Sequence, residues 1–373
     1  MPFAPLRSAM ASDTEDHLSL EDTREAAEAA GLRYVGESEK GFTRKKSGRG
    51  FAYYDTQGKL IRDEKVLKRV RSLAVPPAYT DVWICRDARG HIQATGRDDK
   101  GRKQYRYHAK WSEVRDSVKY EHMIEFAEAL PMIRAKIDEH MRLRNLSRNK
   151  VLAVVVHLLE TTLIRVGNED YAKTNKSFGL TTLRNRHVEV DGGELKFEFM
   201  GKSGKNWKLK IRDRRVAKVV KQCQELPGQH LFEYIDDDGE RRIVTSSDVN
   251  EYLREISGAQ ITAKDFRTWA GTVLAAMALS EFEAVDSAAL AKKNIKQAIE
   301  RVAQRLGNTP TICRKCYVHP EVVQSYLDGE LAREVREEID EELREDIAHL
   351  EPEEAALLAL LRKRLGKAEA KAA

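Results

Sequence analysis

The sequence predicts an α+β chain: a small N-terminal antiparallel β-sheet domain, then a larger, mainly α domain interrupted by a three-stranded β-hairpin sheet. Three observations carry this reading. Residues 33–110 hold short apolar and aromatic runs separated by Gly- and Asp-containing turns. From about residue 112 the apolar positions recur at helical spacing, and between residues 187 and 211 two glycine turns separate three strand-like runs. The expected divisions are 1–30, a polar segment without periodicity and expected to be mobile; 31–115, the β-rich domain; 116–325, the mainly α domain; and 326–373, a charged helical tail.

Taken in order, a short helix is expected over 23–30. Phe51-Ala-Tyr-Tyr-Asp55 and Val82-Trp-Ile-Cys85 are strand candidates, and the Asp87-Ala-Arg-Gly90 turn returns the chain into His91-Ile-Gln-Ala-Thr95. A polar turn over 96–101 precedes a further strand over 104–108. Residues 150–165, dense in Val and Leu, predict a buried core helix. Strands over 187–190, 195–200 and 207–211 follow, joined by Asp191-Gly-Gly193 and by Gly201-Lys-Ser-Gly204. Helices are expected over 247–256 and 263–282, and the periodic stretch 330–365 predicts an exposed helix or helix pair that packs one apolar stripe.

A hydrophobic fraction of 41% supports real cores, and 34% charged residues imply a wet surface. No apolar run approaches the roughly 18 residues that span a bilayer, and the first residues lack a secretory apolar core, so a cytoplasmic protein is expected. Four cysteines, at 85, 223, 313 and 316, are too scattered for a disulfide framework. The net charge of +5 is unevenly spread: residues 33–118 carry 21 basic against 11 acidic side chains, while residues 1–32 carry two against seven. A basic body between acidic ends suits a polyanion, because Lys and Arg replace counterions along a phosphate backbone.

Four segments bear on phosphate chemistry. In Arg165-Val-Gly-Asn168 an arginine leaves an apolar helix just before a glycine, where its fork suits two phosphate oxygens. Lys202 stands on a glycine-flanked hairpin tip. A nucleotide-binding P-loop would need glycine five residues before Gly201, where Lys196 stands. Thr262-Ala-Lys-Asp-Phe-Arg267 places a capped helix whose second turn presents Arg267. Tyr317 lies among Arg314 and Lys315, and positive charge is what turns a phenol, nearly inert at neutral pH, toward the nucleophilic phenolate. Taken singly, each has an ordinary structural explanation: a surface arginine, a solvated turn lysine, a salt-bridge arginine, a buried tyrosine. Cys313 and Cys316, even with His319, fall short of a four-ligand zinc set, so no metal and no cofactor is expected.

In order and content the four segments resemble the active-site blocks of type IB DNA topoisomerases, in the compact poxvirus-like form found in bacteria. The stretch from Gln93 to His108 is similar to that family's DNA-clamping β domain, and the resemblance spans roughly residues 30–320. It implies a tyrosine recombinase/topoisomerase IB catalytic fold. It also implies relaxation of supercoiled duplex DNA through a 3′-phosphotyrosyl intermediate on Tyr317, independent of ATP and metal. Arg165 and Arg267 would brace the non-bridging oxygens, and Lys202 would protonate the leaving 5′ oxygen. Asn308 would stand where the viral and nuclear enzymes carry histidine; an amide donates a hydrogen bond but holds no transferable proton. Arg102, Gln104, Tyr105 and Tyr107 would contact DNA, the two tyrosines from one face of a strand. The partner is double-stranded DNA with no membrane, and the protein is expected as a nucleoid-associated cytoplasmic monomer.

Two rival readings remain. Tyrosine recombinases share the chemistry but generally place histidine three residues before the second arginine, where Lys264 stands, and open with a helical domain rather than a basic β domain. A non-catalytic DNA-binding protein would need no nucleophile, and Tyr317→Phe would leave it intact.

Overall fold

A computed structural model describes residues 24, 27–36, 38–99, 101–282, 287–333, 335 and 350–372. The N-terminal segment up to residue 23 and much of the acidic stretch after residue 335, both assigned above, lie outside the described residues. The chain divides into two units, 1–121 and 122–373.

The first unit is built on a five-stranded antiparallel sheet in the order β2-β1-β3-β4-β5. Its strands are β1 (Phe42–Ser47), β2 (Gly50–Tyr54), β3 (Thr80–Ile84), β4 (Ile92–Arg97) and β5 (Lys103–Tyr107). β1 was not anticipated, because Phe42-Thr-Arg-Lys-Lys-Ser47 alternates weakly and only Phe42 joins the core. Helix α1 (Glu64–Ser72) is capped by Asp63, whose carboxylate accepts from the Lys65 and Val66 amides. It buries Leu67 and Val70, and Val70 joins Val82, Ile84 and Ala94 in the core. A second cluster joins Ala27, Leu32 and Trp111 and takes in one side of Tyr107.

The second unit is mainly helical. Helix α2 (Ala109–Met141) supplies this unit with its residues from His122 onward. Helix α3 (Arg148–Thr162) is its centre: residues 151–156 are all buried, so packing overrides the modest helix propensity of four valines. Leu163, in the left-handed region at φ 58°, ends it. The short α4 (Glu169–Asn175) is capped by Asn168. Strands β6 (Val188–Asp191), β7 (Glu194–Met200) and β8 (Asn206–Arg212) form the three-stranded antiparallel sheet. After α5 (Arg214–Gln224), a small hairpin of β9 (Glu233–Ile235) and β10 (Arg241–Ile243) precedes α6 (Ser246–Ser257). Helix α7 (Ala263–Ser280) opens with a Thr262/Asp265 capping box and is buried along most of its length. It packs against α3 and against α8 (Ala288–Leu306), which ends at Gly307 in the left-handed region, φ 66°.

Helices α9 (Pro310–Cys316) and α10 (Pro320–Leu327) follow, and α11 (Pro352–Ala372) closes the fold. The tail helix differs from the exposed element expected. Residues 355–361 of α11 are buried in succession, and the helix packs on α7. Glu354 accepts from Arg134 (2.8 Å) and from the Trp269 indole N–H (3.1 Å), which fixes its start. Ala355-Ala-Leu-Leu-Ala-Leu-Leu361 has apolar residues on every face, and that continuity marks a buried helix rather than a stripe.

Candidate active site

Arg165 lies two residues beyond the left-handed cap of α3, in an extended loop strapped to the turn at Leu180–Thr182. Its carbonyl accepts from the Leu180 amide (2.9 Å), and the Val166 carbonyl accepts from the Thr181 amide (2.7 Å). Gly167 and Gly179 cross here so closely that a methyl on Gly179 would fall 2.5 Å from the Arg165 carbonyl oxygen. The loop is therefore rigid, and it aims the guanidinium at Asn308, whose side-chain oxygen accepts a hydrogen bond from it.

Arg267, on the second turn of α7, is only 3% exposed. Its guanidinium donates to the carbonyls of Leu163, at the end of α3, and of Leu306, at the end of α8. Both are among the terminal carbonyls that a helix leaves without an internal partner, so one side chain ties together the ends from which Arg165 and Asn308 emerge. The same guanidinium lies over the Tyr317 ring, 5.4 Å from its centroid. Burial, and to a lesser degree the like charge of Arg165, push Arg267 down to about 10, opposed by the neighbouring Tyr317 hydroxyl.

Tyr317 caps the C-terminus of α9 and is 6% exposed. Helix α7 holds its backbone as well. A methyl on Gly271 would lie 2.6 Å from the Tyr317 carbonyl oxygen and 3.1 Å from its Cβ, so only glycine allows this approach. That carbonyl accepts from the Thr272 hydroxyl (3.2 Å), whose oxygen accepts in turn from the His319 amide (3.2 Å). Gly271 and Thr272 lie one turn after Arg267 on the same helix, and nothing in their local sequence marks the contact with Tyr317.

Arg165, Asn308, Arg267 and Tyr317 thus form one cluster, with Arg267 and Tyr317 buried and Arg165 and Asn308 half-buried. Among the described residues, Arg165 Nε, Arg267 Nε and Asn308 Nδ2 are buried donors that reach no acceptor. Three such donors around two guanidiniums form a setting that an anion with several acceptor oxygens would satisfy. Lys202 stands in the turn between β7 and β8, and its Nζ lies 5.8 Å from the centroid of the Tyr171 ring on α4, the helix that follows the Arg165 loop.

Cys313 is fully buried on α9, and burial pushes its thiol up to about 12, which makes it unreactive; Cys316 is half-buried. No group of three or more His, Cys, Asp or Glu side chains arranged to hold a metal is found among the described residues. Nor is any of their helices long and apolar enough to cross a membrane.

In the first unit Tyr105 and Tyr107 stack on one face of β5, the edge strand, with ring centroids 6.0 Å apart and planes 10° from parallel. Lys103 Nζ lies 5.4 Å from the Tyr105 centroid. Arg102 pairs with Asp98 at 2.6 Å. Gln104 is 7% exposed, and its amide donates to the same carboxylate at 3.1 Å.

Two family models and several curated proteins match this chain. Residues 108–346 match the family described as the eukaryotic DNA topoisomerase I catalytic core. Residues 50–98 match that described as the bacterial DNA topoisomerase IB N-terminal domain. The chain is 33% identical to DNA topoisomerase 1B of Acanthamoeba polyphaga mimivirus over 297 residues, covering 78% of this chain and 88% of that protein. It is 23% identical to DNA topoisomerase I of Monkeypox virus over 295 residues, covering 74% and 90% of the two chains. Rabbit fibroma virus DNA topoisomerase 1 is 25% identical over 315 residues, covering 78% and 93%.

Proposed function

This chain belongs to the type IB DNA topoisomerase family, and from that premise we propose that it relaxes supercoiled duplex DNA by cutting and resealing one strand at Tyr317. The phenolic oxygen of Tyr317 attacks the scissile phosphorus and gives up its proton to water. The bond from phosphorus to the 5′ oxygen breaks, and Lys202 supplies the proton that oxygen takes. The product is a 3′-phosphotyrosyl strand and a free 5′-hydroxyl end, which swivels before it attacks in reverse. One phosphodiester is exchanged for another at each step, so no ATP is required, and in this reading the arginines meet the phosphoryl charge without a metal ion.

Developing negative charge on the phosphoryl oxygens would be met by Arg165 and Arg267, whose donors are fixed before the substrate arrives. Asn308 adds an amide N–H without a transferable proton. The observation that carries this reading is the convergence of Arg165 Nε, Arg267 Nε and Asn308 Nδ2, buried and unbonded, beside Tyr317. Leaving such donors unsatisfied costs roughly 1–3 kcal/mol each, a cost that bound phosphate would remove. Tyr105, Tyr107 and Arg102, with Lys103, would contact the duplex. The enzyme would act as a monomer on nucleoid DNA in the cytoplasm.

Plasmid relaxation in EDTA without ATP tests the reading. Wild-type protein should relax the plasmid completely. Tyr317→Phe should bind DNA with unchanged affinity and relax none. Relaxation by Tyr317→Phe, or its absence in wild type that still binds DNA, would remove the proposal.

A further inference from the structure

We propose that Trp207 is a positioning residue for the leaving-group step: its indole, wedged between Gly201 and Gly307, sets the place of Lys202 relative to Asn308. The inference rests on Lys202 being the general acid proposed above. Trp207 lies on β8, 9% exposed, paired in register with Phe199 of β7 and stacked on that ring at 6.1 Å with planes 2° apart. Its two ends meet two different glycines. A methyl on Gly201 would fall 2.7 Å from the indole Cδ1 and Nε1, and a methyl on Gly307 would fall 2.8 Å from Cζ2.

The backbone of Gly201, φ −95° and ψ −172°, is one any residue adopts, so the indole is what excludes a side chain there. Each glycine immediately precedes a residue of the proposed machinery, Lys202 after Gly201 and Asn308 after Gly307. Lys205 reinforces the link. Its carbonyl accepts from the Gly201 amide (2.8 Å), and its Nζ donates to the Gln304 carbonyl (3.1 Å) near the end of α8.

A lysine on a glycine-flanked tip would otherwise range widely, whereas proton transfer needs its nitrogen at about 2.6–3.2 Å from the accepting oxygen. The indole fixes the tip against the turn that carries Asn308, and Asn308 is bonded to Arg165. One aromatic ring thereby holds the acid in register with the groups proposed to bind the phosphate.

The test uses full-length protein and single-turnover cleavage of two duplexes, one with the ordinary scissile bond and one with sulfur in place of the 5′ oxygen. A thiolate leaves without being protonated, so a defect confined to proton delivery vanishes with sulfur. Lys202→Ala, Trp207→Ala and Gly201→Ala should each cleave the oxygen substrate on the order of 10²-fold more slowly than wild type, and cleave the sulfur substrate within a few-fold of it. Adding Gly201→Ala to Trp207→Ala should cause no further loss, since the methyl then has nothing to strike. If Trp207→Ala fails to fold, Gly201→Ala, which keeps the indole, carries the same comparison. If Lys202→Ala is restored by sulfur while the Trp207 and Gly201 variants stay slow, Trp207 merely supports the fold and the inference falls. Wild-type rates on oxygen for those variants would also overturn it. If Lys202→Ala itself is not restored, the general-acid reading fails and takes the inference with it.

Discussion

The proposed nucleophile is held by its backbone at least as firmly as by its side chain. Gly271 lets α7 approach Tyr317 within a distance that no Cβ tolerates, and Thr272 accepts and donates on either side of that contact. Gly271→Ala should therefore push the Tyr317 backbone away from Arg267. A misplacement of this kind costs on the order of 10² in single-turnover cleavage, with overpacking of roughly 1–3 kcal/mol in stability. Cleavage within twofold of wild type would show that Tyr317 is positioned by other means. Arg267 shows how one residue can serve fold and site together. Its position over Tyr317 follows from the two helix-end carbonyls that its guanidinium binds.

Among the elements, α7 does the most to assemble the site, and its own start depends on α2. His122 of α2 is bonded to Glu125 at 2.6 Å and lies 3.6 Å from Asp265, the residue that closes the α7 capping box. Burial opposes the imidazolium, but the Asp265 and Glu125 carboxylates outweigh it and push His122 up to about 9. Because this value lies above the ordinary 6.5, the stabilisation is complete below about pH 6.5 and is lost as pH rises through about 9. Between about pH 6 and about pH 10, wild type should lose on the order of 1–3 kcal/mol more stability than His122→Gln. Thermal melts across that range measure it, and parallel curves for the two proteins would dismiss the contribution. At the other end of the chain, α11 is anchored on α7 by Glu354, so the C-terminal helix supports the element that carries Arg267.

For the molecule as a whole, charge distribution matters more than net charge. A net +5 would hardly concentrate a polyanion, but residues 33–118 hold a ten-charge basic excess while the ends are acidic. Affinity for a plasmid-derived duplex should fall with salt at a log–log slope steeper than about −4. Lys103→Ala should make that slope shallower by about one if this lysine meets a phosphate. A slope near zero, measured by fluorescence anisotropy across a salt series, would argue against phosphate contacts as the main source of binding.

Local periodicity was enough for four strands of the first sheet, the three-stranded sheet, the buried helix α3 and the capped helix α7, because each of these repeats over a few residues. Arg165, Lys202, Arg267, Asn308 and Tyr317 come forward as candidates through a family resemblance, which linear motifs can carry. β1 escaped because its alternation is weak, and the burial of α11 was misjudged because charged flanks surround its apolar run. Only the tertiary structure brought the ends of α3 and α8 onto Arg267, set Gly271 beneath Tyr317 and put Trp207 between two distant glycines. Those contacts join positions far apart in the chain, and a glycine that is small because something else lies against it looks in sequence like any other. The residue types a phosphate needs follow from chemistry and can be found along a line, whereas the packing that holds them in place exists only in three dimensions.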